Sequence, residues 1–167
     1  MPYWRMRQSL WNFSLAVYAD KAVQDECLAL QDQFGLDVNL ILLCAFLGAE
    51  HGIALTSDDI ASARQAVRQW HDEIVRPLRA ARRSLKTAEL PDAQQLRTQV
   101  KATELEAERI EQTMLQGWID ARLPNLQRGD ARTAVNSNLD ALLSASGVDR
   151  ASASSVLKNT IAAALAR

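Results

Sequence analysis

The feature that most constrains this chain is residues 36–55, which read LDVNLILLCAFLGAEHGIAL. Its centre, residues 40–49, carries no charged side chain. A helix that is apolar on every side is normally surrounded by other helices. We therefore predict a buried central helix over residues 38–50, with Asp37 as the N-cap that accepts hydrogen bonds from the free amides of the first turn. The apolar run is about half of what a bilayer span requires, so we expect no membrane association.

The composition around this helix favours an all-α protein. There are 6 Gly and 4 Pro in 167 residues, and apolar residues seldom alternate with polar ones, so strand signals are nearly absent. With 48% hydrophobic residues the chain can bury a proper core. We predict one all-α domain over residues 1–167, a helical bundle of six to seven helices.

Helix start and stop residues divide the chain. Gly35 suits the left-handed end of a helix, and Thr56 with Asp59 forms a capping-box pattern. Because apolar and basic residues keep their helical spacing on both sides of Pro77, we predict one kinked helix over residues 57–86 rather than two helices. The other predicted helices cover residues 10–20, 22–34, 92–122 and 130–144, and Asp149 caps a last one.

The second half of the chain, residues 87–167, is expected to pair with the first through one long helix. Its predicted apolar stripe runs through Leu96, Val100, Thr103, Ala107, Ile110, Met114 and Trp118. Glutamates in its middle, residues 104–111, could face the arginines of the preceding helix in an antiparallel hairpin. The C-terminal helices carry small side chains, which predicts weak packing.

Three segments of the first half resemble a known family. They read LWNFSLAVYA, CLALQDQFGLDVNLILLCAFLG and VRPLRAARRSLK, within residues 10–86. This pattern is similar to that of a bacterial all-helical family of unknown function. The resemblance implies a cytoplasmic bacterial protein and supplies no activity, cofactor or catalytic residue.

A basic stripe on the predicted helix 57–86 is the first candidate site. Its members are Arg64, Arg68, Arg76, Arg79, Arg82, Arg83 and Lys86. Three interpretations compete: a solvated face paired with the glutamates of residues 104–111, a surface for an acidic protein or a nucleotide, and a nucleic-acid surface. Nucleic acid is disfavoured because the whole chain has a formal net charge of −1. For function we favour a non-enzymatic interaction module that docks an acidic partner through Arg76, Arg79, Arg82, Arg83 and Lys86.

Polar residues at the ends of the central helix are the second candidate site. They are Asp32, Asp37, Asn39, Glu50 and His51, and His71 is a further candidate. Carboxylates and a histidine can hold a divalent metal or perform general acid/base catalysis. The spacing lacks an ExxH or HExxH signature, so structural capping is the favoured interpretation. A small-ligand, metal or enzyme site at Asp37, Asn39, Glu50 and His51 remains the alternative.

The remaining candidates are apolar. Trp11, Phe13, Phe34, Phe46 and Trp70 form either a core or a pocket for an apolar ligand, and we favour the core. Trp4 and Trp11 are similarly core residues or a partner anchor. Cys27 and Cys44 lack any CxxC or Cys/His pattern, which predicts reduced core thiols. No cofactor is indicated, and the sequence leaves homo-oligomerisation open.

Overall fold

The computed structural model describes residues 9–148 and 158–159. Within them lie seven α-helices, and a five-residue π-helical turn, His71–Val75, joins α4 to α5 without a break. The all-α bundle of six to seven helices is confirmed. None of the helices described is both long and apolar enough to cross a bilayer. The helices are α1 Leu10–Tyr18, α2 Lys21–Phe34, α3 Val38–His51, α4 Ser57–Trp70, α5 Arg76–Leu85, α6 Ala93–Arg122 and α7 Ala131–Ala145.

Short-range capping explains where most of the helices begin. The Asp37 side chain accepts from the Asn39 amide 2.8 Å away, as predicted for the start of α3. Thr56 and Asp59 form the predicted capping box of α4. Asp130 caps α7, and Gly35 ends α2 with a φ of 67°. Of the predicted last helix after Asp149, only Lys158 and Asn159 lie within the described residues, and both are helical. Trp4 lies outside the described residues.

The central position of α3 results from its apolar surface. Every residue from Asn39 to Ala49 is buried. Helices α1, α2, α6 and α7 surround it. The prediction of weak C-terminal packing is wrong for α7, because Val135, Leu139 and Leu142 are almost completely buried in the shared core. Gly48 allows this close approach, since a Cβ there would lie 2.6 Å from the backbone nitrogen of Val135.

The π-helical turn changes which residues of the long α4–α5 helix face the core. The Arg76 amide bonds to the His71 carbonyl five residues earlier, ahead of Pro77, which has no amide hydrogen to donate. The extra residue rotates the remainder of the helix about its axis. The sequence spacing of Val67, Ile74 and Leu78 predicts that Ile74 lies on the apolar face of this helix. The structure instead buries Val75 and leaves Ile74 37% exposed, so the apolar spacing predicted to continue across Pro77 is wrong at this turn.

Helix α6 pairs with α5 in the predicted antiparallel hairpin, but its buried face is rotated from the predicted one. Of the predicted apolar stripe, Ala107 and Trp118 are buried, but Leu96 and Met114 are 49% and 38% exposed, so the stripe is wrong in part. The buried face instead contains Glu104 and Glu111, because these side chains meet basic groups on α5 and the π turn. The residues of α6 that are buried are Ala93, Glu104, Ala107, Glu111, Gln112, Leu115, Trp118 and Ile119.

Candidate functional site

A cleft of about 850 Å³ opens between α2, the start of α3 and the α4–α5 helix. Five arginines and three aspartates line it, so positive charge predominates. We call it the basic cleft. Its charged lining residues and histidine are Asp32, Asp37, Arg64, Arg68, His71, Asp72, Arg76, Arg79 and Arg83.

Three ionisable side chains meet where the basic cleft reaches the core. Nδ1 of His71 lies 3.4 Å from Oδ2 of Asp37 and 3.2 Å from Oε1 of Glu111. The side chain of Glu111 is fully buried, whereas those of Asp37 and His71 are 11% and 14% exposed. One metal-ligating atom from each residue lies within 4.8 Å of the other two. We call these three residues the carboxylate–histidine cluster.

Different local features place each member of the cluster. Asp37 uses one carboxylate oxygen to cap α3, which leaves the other directed to His71. His71 begins the π-helical turn, and such turns are frequent at functional sites. Glu111 lies on the buried face of α6. The cluster therefore needs three separate elements to come together.

Two amide side chains, those of Asn39 and Gln112, form hydrogen bonds next to the cluster. Asn39 accepts a 2.9 Å hydrogen bond from Nε2 of Gln112 and donates to the carbonyl of Glu108. Both Asn39 and Gln112 are buried, at 6% and 4% exposure. Oε1 of Gln112 is buried without a protein partner. A polar network of this kind holds side chains in fixed orientations because each bond restricts its neighbours.

The surroundings alter the proton affinities within the cluster. Burial, followed by the hydrogen bond and charge of Glu111, raises the pKa of Asp37 well above its usual value. Burial acts to raise the pKa of Glu111 too, but hydrogen bonds from His71 and Asp37 outweigh it and lower that pKa. Burial acts to lower the pKa of His71, while Glu111 and Asp37 outweigh it and raise that pKa. The carboxyl groups of Asp37 and Glu111 therefore interact with each other and with the same imidazole, that of His71.

The five cations predicted to bind a partner divide into two groups. Arg79 and Arg82 face α6 and pair with Glu104, and Arg79 also donates to Glu108 over 2.8 Å. In contrast, Arg76 pairs with Asp72 and Arg83 with Asp32 at exposed positions. Lys86 is exposed at the end of α5.

The structure does not bring together all residues of the other predicted site. Asp37 and Asn39 lie at the start of α3, while Glu50 and His51 lie at its end, about 20 Å away for a helix of this length. The ring of His51 packs edge-on against Phe46, with centroids 5.2 Å apart. Asp37 and His71 do meet, and their third partner is Glu111, which the sequence indicated only as one of the glutamates in the middle of the long helix.

The aromatic candidates are also separated. Phe13 and Phe46 pack edge-to-face in the core with centroids 5.4 Å apart. Phe34 is 44% exposed and lines the basic cleft. Nε1 of Trp70 donates to the Ala107 carbonyl on α6. Cys27 and Cys44 are free and buried as predicted, and burial raises the pKa of each thiol to about 12.

The fold and this site define a small all-helical protein with a basic cleft above a buried carboxylate–histidine cluster. A family model described as a protein of unknown function, DUF2390, matches residues 9–115. The chain belongs to this family, which confirms the resemblance and extends it beyond α5. The matched residues include the whole cluster. No match was found among curated proteins or among solved structures.

Proposed function

We propose that the basic cleft binds a small anionic ligand that carries phosphate or carboxylate groups. The convergence of five arginines on one concave surface is the observation that carries this proposal. The cleft volume of about 850 Å³ is suited to a small molecule. Arginine binds such groups well because its planar guanidinium donates two parallel hydrogen bonds to one anion.

The pairing of the arginines supports the proposal. Arg68 and Arg76 share a single carboxylate, that of Asp72, at 3.9 and 3.3 Å. Each guanidinium has five N–H donors, so one aspartate satisfies only a minority of them. Arg64 donates to the Ser146 hydroxyl, a neutral group. These three side chains retain donors for a ligand, whereas Arg79 is occupied by two glutamates.

The test is calorimetric titration of the full chain with pyrophosphate and with citrate. We expect saturable binding that weakens as salt is raised, because exposed charges are screened. The double variant Arg68→Gln/Arg76→Gln should bind at least tenfold more weakly. Arg109→Gln is the matched control, since Arg109 is an exposed arginine paired with Glu106 outside the cleft. Absence of binding to wild-type protein, or equal binding by the double variant, would contradict the proposal.

Docking of an acidic protein is the second candidate function, favoured by the exposed cations along α5. The side chains of Arg76 and Arg83, which also line the basic cleft, are 66% and 52% exposed, and Lys86 is exposed beyond them. Lys86 does not line the basic cleft. A labelled polyglutamate peptide should therefore lose affinity for Lys86→Glu if this surface binds it, while pyrophosphate binding stays unchanged. Equal peptide binding by both proteins would rule this surface out.

A further inference from the structure

We propose that Asp37, His71 and Glu111 bind one divalent transition-metal ion where the basic cleft reaches the core. The ligand atoms are Oδ2 of Asp37, Nδ1 of His71 and a carboxylate oxygen of Glu111. The proposed anion site uses Arg68 and Arg76 instead. The metal site therefore stands or fails independently of anion binding.

The spacing of the ligand atoms is the first argument. Two ligands each about 2.1 Å from one ion lie roughly 3.0 to 3.4 Å apart at octahedral or tetrahedral angles. Nδ1 of His71 is 3.4 Å from Asp37 and 3.2 Å from Glu111, which is within that interval. Charge-assisted hydrogen bonds are typically shorter, about 2.7–2.9 Å. Nδ1 also lies at nearly equal distances, 3.2 and 3.3 Å, from the two oxygens of Glu111, rather than pointing at one of them.

Charge compensation is the second argument. Two carboxyl groups and an imidazole meet in a place where the side chain of Glu111 has no solvent exposure. Ionised carboxylates buried side by side destabilise the fold unless a cation or a proton lies between them. A divalent ion would neutralise both charges. Asn39 and Gln112 already fix the surroundings, as the outer partners of metal ligands commonly do.

The donor set indicates which metals fit. One imidazole nitrogen with two carboxylate oxygens suits Mn²⁺, Fe²⁺, Co²⁺ or Zn²⁺, whereas Ca²⁺ and Mg²⁺ prefer oxygen ligands alone. Three protein ligands leave further coordination positions open. Asp37 and His71 line the basic cleft, so these positions face the space that solvent and small ligands can enter.

The test measures Co²⁺ binding to the chelator-treated full chain, both by calorimetry and by the visible absorption of the bound ion. We expect one Co²⁺ per chain with wild-type protein. Glu111→Gln and His71→Gln should each bind at least tenfold more weakly. The control is His51→Gln, because the chain has 2 histidines and His51 lies at the far end of α3. This control should bind like wild type.

Folding of the variants is checked separately by circular dichroism. Asp37→Asn is informative here because asparagine remains a good N-cap while the carboxylate charge is lost. Co²⁺ should raise the melting temperature of wild type and of Arg68→Gln/Arg76→Gln, but not that of folded Asp37→Asn. No Co²⁺ uptake by wild type, or equal uptake by the cluster variants, would overturn the metal site. Loss of pyrophosphate binding with Co²⁺ binding retained would concern only the anion proposal.

Discussion

The side-chain oxygen of Asn138 accepts a 2.6 Å hydrogen bond from the backbone amide of Leu55, across 83 positions of sequence. The same side chain donates to the carbonyls of Ile53 and Cys44, at 2.8 and 3.1 Å. Asn138 has no solvent exposure. One residue of α7 thus satisfies three backbone groups in α3 and in the loop between α3 and α4.

Replacement of Asn138 by alanine should therefore lower the free energy of unfolding by about 3 kcal/mol or more, since each buried group left unpaired costs roughly 1–3 kcal/mol. Urea denaturation followed by circular dichroism measures this change. Asn136→Ala is the control, because Asn136 is an exposed residue of the same helix. It should change the free energy of unfolding by less than about 0.5 kcal/mol. Equal losses in the two variants would contradict the role given to Asn138.

The close contact between α3 and α7 predicts that Gly48→Ala destabilises the protein. A Cβ at this position would lie 2.6 Å from the nitrogen and 2.7 Å from the Cα of Val135, and backbone atoms cannot rotate away. Gly48→Ala should lower the free energy of unfolding by about 2 kcal/mol, as overpacking does.

Gly117→Ala is the comparison, because it should change the free energy of unfolding in the opposite direction. Gly117 is an exposed residue of α6, and a Cβ there meets nothing within 4 Å. Alanine should raise the free energy of unfolding by about 0.5–1 kcal/mol, because it loses less backbone entropy in a helix than glycine. If both substitutions stabilised the protein, helix propensity would dominate and close packing of α3 on α7 would be refuted.

The hairpin of α5 and α6 predicts that Glu104 matters for stability. Its side chain is 7% exposed and pairs with both Arg79 and Arg82. Glu104→Gln removes the charge, which leaves the guanidinium of Arg82 without its carboxylate and that of Arg79 with Glu108 alone. Because these groups are poorly hydrated, the substitution should lower the free energy of unfolding by about 3 kcal/mol. Thermal and urea denaturation of the purified variant test this.

A matched substitution on the same helix is Glu106→Gln. Glu106 pairs with Arg109 on the surface, where both side chains are about half exposed, at 55% and 46%. Solvent and salt screen such a pair, so the stability should not change measurably. Equal effects of the two substitutions would mean that Glu104 behaves as an ordinary surface charge.

Local chemistry allowed the fold to be predicted better than the site. The caps at Asp37, Thr56 and Asp130 depend on a few neighbouring residues, so the sequence alone indicates them.

The buried face of α6 is ambiguous in the sequence. The predicted stripe, with Leu96 and Met114, and the face that is buried, with Glu104 and Glu111, differ by a small rotation about the helix axis. Glu104 and Glu111 are seven residues apart, in phase with Ala107 and Leu115, which was the available signal for their burial. Glutamate is almost never fully buried without a partner, so that signal was outweighed.

Tertiary contacts account for the rest of the site. Asp37, His71 and Glu111 come from three elements, and nothing in sequence spacing shows that they meet. The π-helical turn at His71–Val75 also shifts the faces of the helix by a residue, which a regular 100° pattern does not reproduce. Sequence reasoning therefore identified Asp37 and His71 as candidates but missed Glu111.

The environment of His51 predicts the direction in which the free energy of unfolding changes with pH. Burial, followed by repulsion from Arg128, lowers the pKa of His51 below its usual 6.5. In the unfolded chain this histidine has its ordinary pKa, so the unfolded state binds more protons once the pH falls below about 6.5. The contribution of His51 to the free energy of unfolding is therefore present above that pH and lost as the pH falls through the folded-state pKa.

Comparison of wild type with His51→Gln isolates this contribution, because other groups titrate in both proteins. The free energy of unfolding of wild type should fall relative to that of the variant between pH 7 and about pH 5. NMR titration of the imidazoles, with His71→Gln used for assignment, should give a pKa of His51 below 6.5. Arg128→Gln should raise that pKa, whereas Arg109→Gln should leave it unchanged. A pKa of His51 above 6.5 would reverse the predicted sign and show that its imidazolium form is stabilised in the folded protein.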